Sequence, residues 1–87
     1  MNILYEADQI VNHRSEEKER QYGDFQECMT RAAKIASLMS NKQISVTDTY
    51  NVLIALKLAR QANAHKEDNL LDAVAYIGAL NNLLENE

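Results

Sequence analysis

The chain has no proline, only two glycines, Gly23 and Gly78, and a single cysteine, Cys28, in 87 residues. Without proline, and with glycine this rare, little in the sequence forces a helix to break. One cysteine excludes an internal disulfide, and no Cys/His spacing typical of a metal site is present. There is no apolar run of about 18 residues, the length that begins to span a bilayer. The start lacks the basic and apolar regions of a signal peptide. A lone cysteine without a secretion signal points to the cytoplasm, and no membrane partner is expected. The net charge is −4 with acids spread along the chain, which disfavours nucleic-acid polymers, since these draw on clustered Lys and Arg. A nucleotide-sized anion needs only a few local positive charges and stays compatible with that balance. Residues 1–87 read as one domain near the small end of what folds without staples, so helix packing supplemented by self-association is expected to stabilise it.

What is present reads as helix throughout. Ile3, Leu4, Ala7, Ile10 and Val11 recur at helical spacing and predict a first helix over roughly residues 2–13. The polar stretch Asn12–Gln21 reads as a mobile or frayed connection, and Gly23 as a helix end or tight turn. Asp24 followed by Glu27 has capping-box spacing. Phe25, Cys28, Met29, Ala32, Ala33, Ile35, Ala36, Leu38 and Met39 then mark a second helix to about Ser40. Ser45 with Asp48 is a second capping-box candidate, opening a third helix that runs to about Ala62. Val52, Leu53, Ile54, Leu56 and Leu58 almost encircle that helix, which predicts a central place in the core. Leu70, Leu71, Val74, Ile77, Leu80, Leu83 and Leu84 define a fourth helix, with a stripe wide enough to meet both the bundle and a second protomer. No β-alternation, internal repeat or low-complexity segment occurs. The expected fold is all-α, a compact bundle of about four helices.

The interpretable charge gathers between Lys57 and Tyr76. Lys57 and Arg60 are three residues apart and share a helix face, as do Asp68 and Asp72 four apart on the next helix. The pairs are nearly symmetric about a break near Asn63–Ala64. An antiparallel hairpin would therefore bring Arg60 near Asp68 and Lys57 near Asp72. Charge in an apolar helix is costly unless paired or snorkelled to water. One reading is a set of interhelical salt bridges. The other is a phosphate clamp, with Arg60 as a planar fork and Lys57 as a point charge, extended by His65 and Lys66 at the turn. Asp68, in the first turn of its helix, has a dipole explanation; Asp72, a turn further in, does not.

Other chemistry is sparse. Tyr22 and Tyr76 could each stack on a base or donate a hydroxyl hydrogen bond, although core packing is the default for Tyr76. Asp68 and Asp72 could hold Mg²⁺, which takes one or two carboxylates plus phosphate oxygens, with Glu6 or Glu27 completing the shell. There is no nucleophile elbow, phosphate-binding glycine loop or dinucleotide turn. Cys28, on the apolar stripe of the second helix, reads as filler rather than nucleophile.

The pattern resembles a family of small, helical domains encoded by tailed phages and prophages, over nearly the whole chain. The likeness begins at Leu4, Glu6 and Ala7 and continues through Arg20, Tyr22 and Gly23. It is densest at Ile44 and Asp48, at Leu56, Lys57, Ala59 and Arg60, and at Lys66, Asp68, Leu70, Asp72 and Tyr76. The sequence departs from that pattern at Phe25 and Val46, where proline is common. The final helix also resembles, distantly, the all-α nucleoside triphosphate pyrophosphohydrolases of the MazG type. Their late ExxD motif is half matched: Asp72 fits the acid, but Asn69 stands in place of the glutamate.

Together these features lead to the expectation of a small phage protein, a homo-oligomer in the bacterial cytoplasm. It would bind and sequester a nucleotide-like anion, such as a second messenger of host defence, without hydrolysis and without a metal or other cofactor. Lys57 and Arg60 would hold phosphate with help from Lys66 and His65, Tyr22 would contact the base or close the pocket, and Asp68 and Asp72 would orient the basic groups or meet ribose or base, beside Tyr76. The alternatives are a Mg²⁺-dependent pyrophosphohydrolase using Asp68 and Asp72, and a ligand-free module that docks on a host protein.

Overall fold

A computed structural model describes residues 2–13 and 24–86. It contains α1 (Ile3–Asn12), α2 (Phe25–Ser40), α3 (Val46–Asn63) and α4 (Glu67–Glu85), with no strand among the described residues. The all-α expectation holds, and these helices start and stop within a residue or two of where their capping and periodicity place them. Of the expected polar connection, Asn12 ends α1 and His13 caps it, while the rest of it, Tyr22 and the expected turn at Gly23 fall outside the described residues.

Local chemistry accounts for the helix ends. Asn2 caps α1 by accepting from the Leu4 and Tyr5 N–H groups. Asp24 caps α2, its carboxylate accepting the Glu27 N–H at 3.0 Å. At the other end of α2, Asn41 takes a left-handed conformation (φ 55°), which asparagine tolerates better than most residues. Ser37 then ties the connection to α2: its hydroxyl accepts the Ile44 N–H at 2.9 Å and donates to the Ala33 carbonyl at 2.8 Å. The capping box at α3 forms in full, with Ser45 and Asp48 each accepting the other's backbone N–H at 3.0 Å.

The helices meet mainly through small side chains. Among the described residues, five of the seven buried apolar ones are alanines, Ala7, Ala33, Ala73, Ala75 and Ala79, and the others are Met29 and Tyr50. α4 packs most extensively, against α3 and α1, while α2 leans on α3. Met29, Tyr50 and Ala79 form the centre, ringed by Val11, Phe25, Val46, Leu53, Tyr76, Leu80 and Leu83. Three helices are also joined there by polar contacts. The Tyr50 hydroxyl donates to Gln26 Oε1 at 2.7 Å, and Gln26 Nε2 donates to the Ala79 carbonyl at 3.1 Å.

The expectation that α3 is surrounded by core is corrected. Tyr50, Leu53, Ile54 and Lys57 face inward, but Val52 is 65 % exposed and Leu56 and Leu58 are exposed too. An all-round apolar helix requires neighbours on every side, and among the described residues α3 contacts only α2 and α4 extensively.

Candidate functional site

α3 and α4 are joined by Ala64–Lys66, and their charged side chains fall on either side of that connection. Lys57 lies on the inward face of α3, one turn after Leu53 and one before Gln61, all at least partly buried. Its Nζ reaches Asp72 Oδ2 at 2.9 Å, with the lysine side chain 20 % exposed and the carboxylate 37 %. This explains why α4 can place an acid a full turn beyond its dipole-stabilised start. Asp72 neutralises a lysine that α3 has carried most of the way out of water.

The second expected pair does not form. Arg60 and Asp68 are both exposed, and among the described residues neither makes an ion pair. Each has its own helix-end stabilisation: Arg60 sits in the last turn of α3 and Asp68 in the first turn of α4. Charges so placed already meet a favourable dipole. An exposed pair adds only about 0–1 kcal/mol, too little to hold two side chains together. The Arg60 guanidinium is therefore left with its donors to solvent, one turn along α3 from Lys57.

The turn itself is closed by Gln61, which the sequence reading missed. Its Oε1 accepts the Lys66 backbone N–H at 3.2 Å, so its Nε2 must be the donor to His65 Nδ1 at 2.6 Å. His65 Nδ1 is thereby an acceptor, which puts the ring proton of the neutral imidazole on Nε2. His65 thus serves the turn with one nitrogen and faces outward with the other. Lys66 is the N-cap of α4 and is engaged through its backbone; its side chain is exposed and unpaired among the described residues. A glutamine four residues before a histidine at a helix end was the available signal.

Tyr76 continues the Asp68–Asp72 ridge as expected, but its ring is half-buried and stacked on Phe25, with centroids 6.0 Å apart and planes at 25°. That ring face is engaged in packing. Asn69, at the position where the resemblance has glutamate, is buried. Among the described residues no three His, Cys, Asp or Glu side chains gather as a metal site would require, so Glu6 and Glu27 do not join Asp68 and Asp72. An open depression of about 530 Å³ lies along α2, lined by Gln26, Glu27, Thr30, Arg31 and Lys34, and shares no residue with the charged corner. No helix among the described residues is long and apolar enough to cross a membrane.

A family model described as a domain of unknown function (DUF6378) matches residues 2–84. No curated protein matches the chain, and no solved structure does.

Proposed function

The chain belongs to this DUF6378 family, and from the charged corner between α3 and α4 we propose that it is a self-associating binding protein for a small, nucleotide-like anion, which it holds without hydrolysis. The observation that carries this reading is Arg60, exposed and without an ion-pair partner among the described residues, one turn from a lysine whose charge is shared with Asp72. In an antiparallel α3–α4 hairpin the Arg60 fork and the Lys66 ammonium flank the same end, and they suit a phosphate or pyrophosphate oxygen set. Lys57 contributes from behind, its position held by Asp72. His65 Nε2–H adds a neutral donor, and Asp68 can accept from a ribose or base. Tyr22 would contact the base, while the Tyr76 ring packs on Phe25.

Binding without cleavage is supported by how Asp72 is used. The one acid that fits a pyrophosphohydrolase motif is committed to Lys57 at 2.9 Å, and its expected glutamate neighbour is the buried Asn69. Sequestration of a nucleotide signal in a bacterial cytoplasm, by a protein of phage origin, is the biological use this chemistry fits. A thermal-shift screen against linear and cyclic nucleotides, with and without Mg²⁺, tests the reading. A stabilising nucleotide recovered intact by chromatography supports it, and a cleaved one replaces it with the hydrolase reading.

One observation favours a second reading, a protein-docking module. Leu38 and Met39 at the end of α2 are 84 % and 83 % exposed, more than a monomer needs to display. Stable capture of one purified host protein, with no response to any nucleotide, would move the function there.

A further inference from the structure

The outward arc of α4 carries a pattern that nothing among the described residues uses. Leu70, Val74, Ile77, Asn81 and Leu84 follow one another at spacings of four, three, four and three residues, the repeat of a two-helix seam. Leu70, Ile77 and Leu84 are exposed large hydrophobics, Ile77 at 51 %. From Ala73 through Leu84 the sequence has no charged residue. A solvated helix face of that length ordinarily carries charge.

Two details say what covers this arc. The Asn81 side chain is exposed and makes no hydrogen bond among the described residues. It takes the same seam position as Val74, seven residues earlier. A single asparagine at that position of an otherwise apolar seam sets register and strand number, because its amide has both a donor and an acceptor and can pair with its own copy. Gly78, on the flank of the same arc, is mid-helix, and a Cβ built there meets nothing within 4 Å. Packing among the described residues does not call for glycine at this point, where it weakens the helix. Close approach by another backbone does.

We infer that α4 is the seam of a two-fold homodimer in which the α4 helices of two copies run parallel, layering Leu70, Val74, Ile77 and Leu84 on themselves and pairing Asn81 with the partner's Asn81. The parallel direction follows from the amide: an antiparallel seam centred on Ile77 would set Asn81 near the partner's Ala73 or Val74 and leave it unpaired in an apolar layer. This deepens the self-association in the proposed function and does not depend on a ligand.

Sedimentation equilibrium of the intact chain and its variants tests the seam. The wild type is expected to be dimeric, and Ile77→Asp to weaken the dimer about 30-fold or more, as for a central interface residue, with helicity by circular dichroism retained because Ile77 is half exposed. Leu38→Asp, on α2, is expected to leave the dimer intact. In a Cys28→Ser background, Asn81→Cys is expected to give a covalent dimer on mild oxidation, since parallel packing puts that position beside its copy. A monomeric wild type, a dimer that survives Ile77→Asp, a dimer lost in Leu38→Asp, or no covalent dimer from Asn81→Cys would each overturn the parallel seam. Nucleotide titrations of the same samples report on ligand binding separately, so failure of the seam and failure of the ligand reading are told apart.

Discussion

Lys57 Nζ lies 2.9 Å from Asp72 Oδ2, joining α3 to α4 by an ion pair whose lysine is four-fifths withdrawn from solvent. Removing one partner of such a pair leaves the other poorly solvated and unmatched, which costs more than the pair itself is worth. Asp72→Asn is expected to destabilise the fold by about 1–3 kcal/mol, read as a lower urea midpoint at unchanged slope. The double variant Lys57→Met with Asp72→Leu, which removes both charges, is expected to recover most of that loss.

Tyr50 is the largest fully buried side chain, and its hydroxyl is spent on Gln26. Tyr50→Phe keeps the ring and its tilted contact with Phe25 but leaves Gln26 Oε1 without its donor. A loss of about 1–2 kcal/mol is expected, and Gln26→Leu in the same background is expected to cost further, because it also removes the Gln26 Nε2–H bond to the Ala79 carbonyl. A double-mutant cycle in urea measures the coupling.

Burial, with the Asp24 charge adding to it, pushes the Tyr50 hydroxyl up to about 12 from an ordinary value of 10.0, against the opposing pull of the Gln26 hydrogen bond. The folded chain therefore keeps a proton that the unfolded chain gives up first. Stability from this group is fully present below pH 10 and is lost as pH rises towards 12, by up to about 1.4 kcal/mol per pH unit. Tyr50→Phe is expected to flatten that alkaline limb, as followed by unfolding midpoints between pH 9 and 12.

At the start of α3 the sign is opposite. Hydrogen bonds from Ser45, backbone first and then side chain, hold the Asp48 carboxyl below its usual range. Its contribution is present above the ordinary carboxylate value and lost as the pH falls through the lower folded one. Asp48→Asn is expected to blunt the fall in melting temperature below pH 4. Ser45→Ala, which removes the cap of the Asp48 N–H, is expected to lower stability at neutral pH by roughly 0.5–2 kcal/mol.

How much of this was legible beforehand depends on the range of the interaction. Helix ends at Ser45 and Asp24 could be read because a cap is a local contract between residues three apart. The Lys57–Asp72 pair could be read because a short connection between two helices makes their spacing nearly local as well. The Arg60–Asp68 pair was over-read: equal spacing from the turn says nothing of whether two solvated charges gain by meeting, and both already had a helix dipole. The Gln26–Tyr50–Ala79 relay was illegible because its members come from three helices, and no periodicity relates them. The place of α3 was misread for a related reason. Val52, Leu56 and Leu58 are apolar, but periodicity does not say whether another helix lies close enough to cover them.

The central claim, a nucleotide-like anion held at the α3–α4 corner, is tested most directly by calorimetric titration of the tightest nucleotide from the screen into wild type and Arg60→Glu. Arg60 is exposed and without an ion-pair partner among the described residues, so the charge reversal is expected to leave helicity nearly unchanged and lower the melting temperature only slightly, through the helix dipole, while reducing affinity at least about 100-fold, the scale of losing a charge-assisted bidentate contact and adding repulsion. Equal affinity in the two proteins would contradict the account and remove Arg60, and with it the corner, from any ligand site.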